Sequence, residues 1–191
     1  MYLMRMKTSI MSQKTKIFRN LTALLLLVSI LCLTACGNGV NVDEEVNKEN
    51  LNISAENVCR GFFQSLYQED SKLFEMCFYK DALDANGVDA WQEYRELVDD
   101  NAVFLGTKYI ATRPCDENNN LNYDTVKGNI AFFNDVDEST IDDIVLVSVK
   151  IFFKVDNENK SIEIYSIVYK AENAWYFFSM VDVTAKEVKT S

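Results

Sequence analysis

The sequence predicts an α+β domain in which helices come first and an antiparallel sheet follows. Two patterns predict it. Ala55, Val58, Cys59, Phe62, Phe63 and Leu66 recur at three- and four-residue spacing, the period of one helix face. Val145, Val147, Val149, Ile151, Phe153 and Val155 occupy every second position, the period of a strand with one buried face. A chain of 191 residues is enough for one ordinary domain with accessories.

The elements follow in order. Ser54 is a good N-cap and Glu56 falls in the first turn, so the first helix starts there. Gln68-Glu69-Asp70 interrupts it. A second helix runs from Asp70 or Ser71 through Leu73, Phe74, Met76 and Cys77. Gly87 breaks the pattern, and a third helix takes Val88, Trp91, Tyr94, Arg95, Leu97 and Val98. β-forming residues then mark a strand from Val103 to Thr112. Arg113 to Asn122 is a polar loop holding the chain's only proline, Pro114. Thr125 to Phe133 reads as a second strand, and Asn134 to Asp143 as an acidic connection. After the alternating strand, Asp156 to Asn159 turns the chain into a strand from Lys160 to Lys170. Glu172-Asn173 makes a tight turn into a last strand, Trp175 to Val181, and the tail from Thr184 to Ser191 is polar. Such segregated elements pack helices on one face of a sheet.

The N-terminus carries a different message. Arg5, Lys7, Lys14, Lys16 and Arg19 precede a run from Asn20 to Val42 without charge, and Leu21 to Leu33 is nearly all apolar. Basic, then apolar, then small residues is the layout of an export signal. The run ends in Leu33-Thr34-Ala35-Cys36. This resembles the bacterial lipobox: Leu, a small or polar residue, Ala or Gly, then Cys. The resemblance covers about the first forty residues. It implies that a transferase puts diacylglycerol on the Cys36 thiol and that a peptidase cuts before Cys36, making it the new N-terminus. An acyl group such as palmitate belongs to such anchors, and two chains suffice for stable attachment at about 0.8 kcal/mol per buried methylene. The competing reading is an uncleaved transmembrane helix, for which a run of about 20 residues is barely long enough. Counting from Met11 gives a signal of ordinary length.

The expected organisation is therefore a signal peptide at 1–35, a flexible tether at 36–53 and one α+β domain at 54–191. The tether reading rests on Gly37, Gly39 and several Asn with Asp43, Glu44, Glu45 and Glu49, a composition that favours disorder. Flexible-chain scaling would set the domain about 20–25 Å from the membrane. Residues 1–35 hold five of the 19 basic residues and none of the 29 acidic ones, which leaves a charge of −15. Such a surface repels nucleic acid, so no nucleic-acid partner is expected.

The chain has no histidine. That removes Ser-His-Asp and Cys-His nucleophilic systems and the commoner zinc sites. Isolated glycines offer no phosphate loop. Asp116, Asn118, Asn120, Asn122 and Asp124 alternate like calcium-loop ligands, but Leu121 stands where the turn needs Gly and Lys127 where the loop needs Glu. Asp135, Asp137 and Ser139 fail the same test. No metal and no cofactor is expected. Cys59 and Cys77 flank the break near Gln68 at similar distances, so an antiparallel helix pair brings them to one level. They are a disulfide candidate in an exported protein, against the plainer alternative of two buried small apolar residues.

The order of elements resembles the nuclear-transport-factor-2-like superfamily, also called cystatin-like or SnoaL-like. The residues that carry the likeness are Ala55 to Tyr67 in the first helix and the closing hairpin from Tyr169 to Tyr176. The resemblance spans Ser54 to about Val183, and many exported lipoproteins of Gram-positive bacteria are similar. It implies an N-terminal helical part packed into the concave face of a curved sheet, a cone whose cavity is the default ligand site. Aromatics make up 12% of the chain, enough to line such a cavity or simply to fill it as core. Ketosteroid isomerases and polyketide cyclases share the fold. They would need a carboxylate base in an apolar cavity and an oxyanion donor. Tyr67, Tyr94 and Tyr109 are candidate donors, and Asp84, Asp89, Asp99 and Asp100 candidate bases. With no identifiable acid–base pair, no catalytic residue is assigned.

The expected function is a membrane-anchored extracytoplasmic lipoprotein on a Gram-positive-type surface, a non-catalytic module binding an unknown protein or small apolar ligand. The alternatives are an isomerase- or cyclase-like enzyme and a structural accessory of an envelope complex.

Overall fold

The computed structural model describes residues 40–80, 82–83 and 90–181. Four helices and a four-stranded antiparallel, curved, open sheet make an α+β architecture among these residues. The helices are α1 (Ala55–Gln68), α2 (Ser71–Met76), α3 (Ala90–Arg95) and α4 (Tyr123–Asn134). The strands are β1 (Val103–Pro114), β2 (Ile141–Val155), β3 (Glu158–Ala171) and β4 (Ala174–Val181), paired in that order.

Helix α1 starts where Ser54 accepts a hydrogen bond from the Asn57 amide at 3.1 Å. It stops at Glu69, whose φ of 57° turns the chain left-handed. Asp70 then caps α2 through the Leu73 amide at 3.0 Å. The chain reverses within two residues because a helix end and a new cap are adjacent. The Phe177 amide donates to the Cys77 carbonyl at 2.7 Å, which ties the end of α2 to β4.

The long hairpins have local causes. Asp156 and Asn157 have φ of 52° and 66°, and Glu172 and Asn173 have 51° and 66°. Two successive positive-φ residues form the tight turn that suits strand twist. β1 carries two register shifts, at Phe104/Gly106 and Tyr109/Ala111. Such bulges add local twist and bend the strand.

The sheet separates two cores. On one side Val147, Val149, Ile151, Val168 and Phe177 pack under α1 with Phe62, Phe63, Phe74 and Leu73. Phe62 stacks on Phe177 at 3.7 Å and 9° and meets Tyr94 edge-on at 5.1 Å. Burying each such ring contributes about 1.5–3 kcal/mol. On the other side Ile144, Leu146, Ile167 and Tyr169 pack with Val126 and Ile130 of α4.

Three expectations change. The segment Thr125 to Phe133 is helix α4, not a strand. Asn122 caps it through the Thr125 amide at 2.9 Å, and Val126, Ile130 and Asn134 line its buried face at four-residue spacing. Strands β1 and β2 also extend to Pro114 and back to Ile141, beyond the boundaries read from composition.

The third change concerns the expected tether. Asp43 to Ile53 lies against the domain. Its Asp43 amide donates to the Thr107 carbonyl at 2.9 Å, Val46 is buried, and Leu51 is fully buried in a short 3-10 turn, Leu51–Ile53. Buried Arg60 donates to Thr107 at 3.2 Å, to Glu56 at 3.2 Å and to the Glu44 carbonyl. Gln64 donates to the Val46 carbonyl at 3.0 Å and accepts from its amide at 2.9 Å. We call residues 43–53 the strap. Two polar side chains of α1, at four-residue spacing, hold it down.

Cys36, Asp84, Gly87, Val88, Asp89 and the tail from Thr184 lie outside the described residues. Among the described residues no helix is long and apolar enough to cross a membrane.

Candidate functional site: an apolar cleft beside Tyr67

The helix–sheet interior is filled at the Phe62 end and open at the other. A cleft of about 450 Å³ lies between the last turns of α1 and the distal ends of β2 and β3. Phe63, Leu66, Leu97, Ile151, Ile162 and Met180 supply apolar walls. The size falls within the range of small-molecule sites. Tyr67 forms one side, its ring stacked on Phe104 at 5.3 Å and Phe153 at 6.0 Å. The polar groups are few: the Tyr67 hydroxyl, Glu96, Asp99 and Lys160.

Their chemistry follows from their surroundings. Burial pushes the Tyr67 hydroxyl up to about 12; the Asp99 carboxylate adds to this and Arg95 partly offsets it. The hydroxyl therefore stays protonated at physiological pH and can donate. Glu96 and Asp99 are exposed at the rim. A carboxylate in water keeps its solvation. Arg95 pairs with Glu69 at 2.6 Å and Asp100 at 3.2 Å, pinning the segment after α3 to the end of α1. That pairing holds the Glu96–Asp99 wall in place.

Of the proposed donors, only Tyr67 lines the cleft. Tyr94 belongs to the Phe62 cluster, where burial raises its hydroxyl strongly. The Tyr109 hydroxyl donates to Thr112 at 3.2 Å on an exposed surface. Of the proposed bases, Asp99 is at the rim and Asp100 is committed to Arg95. Residue spacing did not reveal Lys160, Ile162 or Leu97 as lining, because they come from two separate segments, β3 and the stretch after α3.

Cys59, Cys77 and Cys115 are buried free thiols. Burial pushes the Cys59 thiol up to about 12, against smaller opposite effects of Ser166 and Arg60. Cys77 is raised well above its ordinary value by burial and then by Cys59, so the two thiols are near one another. Its Sγ donates to the Leu73 carbonyl at 3.2 Å. A thiol that resists ionisation is a poor nucleophile and metal ligand.

The alternating Asp and Asn residues serve as caps. Asp116 accepts from the Asn119 amide at 3.2 Å, Asn122 caps α4, and Asp137 accepts from the Ser139 amide at 2.9 Å. Among the described residues no group of three or more acidic or thiol side chains is arranged to hold a metal ion. Compared with protein-family models, curated proteins and solved structures, the chain matches none.

Proposed function

We propose that this chain is a lipid-anchored, extracytoplasmic binding module that takes a small apolar molecule into the cleft beside Tyr67 without transforming it. One observation carries the reading. The cleft of about 450 Å³ is walled by apolar side chains, has the protonated Tyr67 hydroxyl and Lys160 as its donors, and keeps its carboxylates in water at the rim. That composition suits recognition by burial with few orienting hydrogen bonds. An isomerase- or cyclase-like reaction needs a desolvated carboxylate in the cavity. Among the described residues the buried polar side chains include no Asp or Glu. A purely structural accessory has no need of an open cleft.

The anchor part of the reading rests on Leu33-Thr34-Ala35-Cys36 behind its basic and apolar segments. The finer fold assignment, a nuclear-transport-factor-2-like or cystatin-like cone, is supported by α1 lying on one face of a curved sheet with the cleft at its open end.

Titration with a neutral, environment-sensitive apolar dye tests the cleft. The exported chain should bind saturably at one site. Leu97→Trp, which fills the space, should weaken binding about tenfold or more, the loss of about 1.4 kcal/mol. Binding that ignores Leu97→Trp, or no saturable binding, counts against the reading.

A further inference from the structure

We propose that the sheet face turned away from α1 lies against the anionic headgroups of the bilayer that holds Cys36, with Lys108, Lys150, Lys154 and Arg113 as its contacts. The proposal rests on the lipid-anchor reading.

The face is defined by register. Val149, Ile151 and Phe153 belong to the core under α1. Alternation puts Lys150, Phe152 and Lys154 on the opposite face. Lys108 pairs directly with Lys150, Val103 with Lys154, Arg113 with Leu146, and Ser161 with Phe152. Cross-strand partners share a face, so the four cations are strung along it, from Arg113 at the Leu146 register to Lys154 at the far end of β2. The core under α4 occupies the Leu146 end of this face, and the lysines lie beyond it.

Three features make this patch unusual in an acidic chain. Lys108 stands directly opposite Lys150, a like-charge pairing that costs stability, with Glu163 as the partner of Lys150 on β3. None of the four cations makes an ion pair among the described residues. The facing acid, Glu163, accepts a hydrogen bond from Ser148 at 3.0 Å. Instead, Lys150 lies 5.5 Å over the Phe152 ring and Arg113 5.8 Å over the Tyr165 ring. Cations beside half-buried aromatic rings suit a water–headgroup boundary.

The path of the chain leads to the same place. The strap brings Asp43 to the β1 edge at Thr107, and Val42 packs on Gly106, the register partner of Phe152. The Asp43 carboxylate accepts from the Tyr109 amide at 2.6 Å and faces Arg60 at 3.8 Å. Cys36 stands six positions before Val42, at most about 21 Å of chain. The anchor therefore draws the β1 edge close to the bilayer, where attraction acts over about 8 Å in physiological salt. Glu69, Glu75, Glu93 and Glu96 belong to the helical layer on the other side of the sheet. The lysine face is drawn in and the cleft opens away from the membrane, while Asp124, Asp135 and Asp137 stay with α4 at the Leu146 end of the same face.

The test uses the full chain extracted from membranes and reconstituted into phosphatidylcholine vesicles with or without 30% phosphatidylglycerol. A fluorophore is placed at Ser161→Cys, or at Lys72→Cys on the helical layer, and a quencher is carried on lipid headgroups. The Ser161 label should be quenched more than the Lys72 label on anionic vesicles. That excess should fall more than about twofold with K108E/K150E, and likewise in high salt. Equal quenching of the two labels, or no response to K108E/K150E, overturns the proposal. Incorporation of a clickable palmitate analogue, lost in Cys36→Ser, reports the anchor separately. Labelled protein without the quenching pattern refutes the orientation alone. Unlabelled protein refutes the anchor, and the orientation with it.

Discussion

Gly106 has a φ of +137°, and a Cβ built there would meet Val42 at 2.8 Å. Both conditions exclude a side chain. Gly106→Ala should therefore cost about 1–3 kcal/mol in denaturant unfolding, and it should expose the strap to proteolysis before the rest of the domain. A cost within about 0.5 kcal/mol would mean that Val42 does not rest there. The thiols offer a second test at this scale. Cys59, Cys77 and Cys115 should be unreactive in the folded chain, and three thiols should appear on unfolding, with or without reductant. A count that rises by two on reduction would reveal a Cys59–Cys77 disulfide. Arg60 and Gln64 were harder to foresee. On a helix wheel they flank an apolar face and look like ordinary surface residues; only the returning strap buries them.

Among elements, those with strong local signals were readable. The cap at Ser54, the alternation from Val145 to Val155 and the turn at Glu172-Asn173 each dictate their own conformation. Helix α4 was not, because Val126, Ile130, Phe132 and Phe133 are good strand formers and Gly128 weakens a helical reading. The Asn122 cap and the contacts of Val126 and Ile130 decide the outcome. A Cβ at Gly128 would have nothing within 4 Å of it. Gly128→Ala should thus stabilise the domain by about 0.5–1 kcal/mol, measured as a higher denaturant midpoint. Helix α2 carries a pH signature. The Leu73 amide, and then Lys48, hold the Asp70 carboxyl below its usual range. A depressed native pKa adds stability above the unfolded value of about 3.9, and that stability is lost as pH falls through the lower native value. The stability gap between the wild type and Asp70→Asn should accordingly shrink below about pH 4. A gap independent of pH would assign the effect to packing.

For the whole molecule, the α+β layout was legible because the helical period of α1 and the strand period of β2 stand far apart in the chain, although α4 interrupts the strands between β1 and β2. The strap was not, since a run rich in Asn and Glu reads as solvated. Its sparse apolar residues, Val46 and Leu51, with Val42 just before it, are the signal that it docks. The cleft was legible only as an expectation. Its walls come from α1, the segment after α3 and three strands, and no single stretch of sequence brings them together. The central claim joins that cleft to a lipid on Cys36. Native mass spectrometry of the chain gently extracted from membranes measures both parts at once. The account predicts a chain beginning at Cys36, heavier by a diacylglyceryl group, with a further small molecule bound that Leu97→Trp abolishes. A chain that retains residues 1–35, or one that carries no ligand under conditions where the dye binds without regard to Leu97, would contradict it.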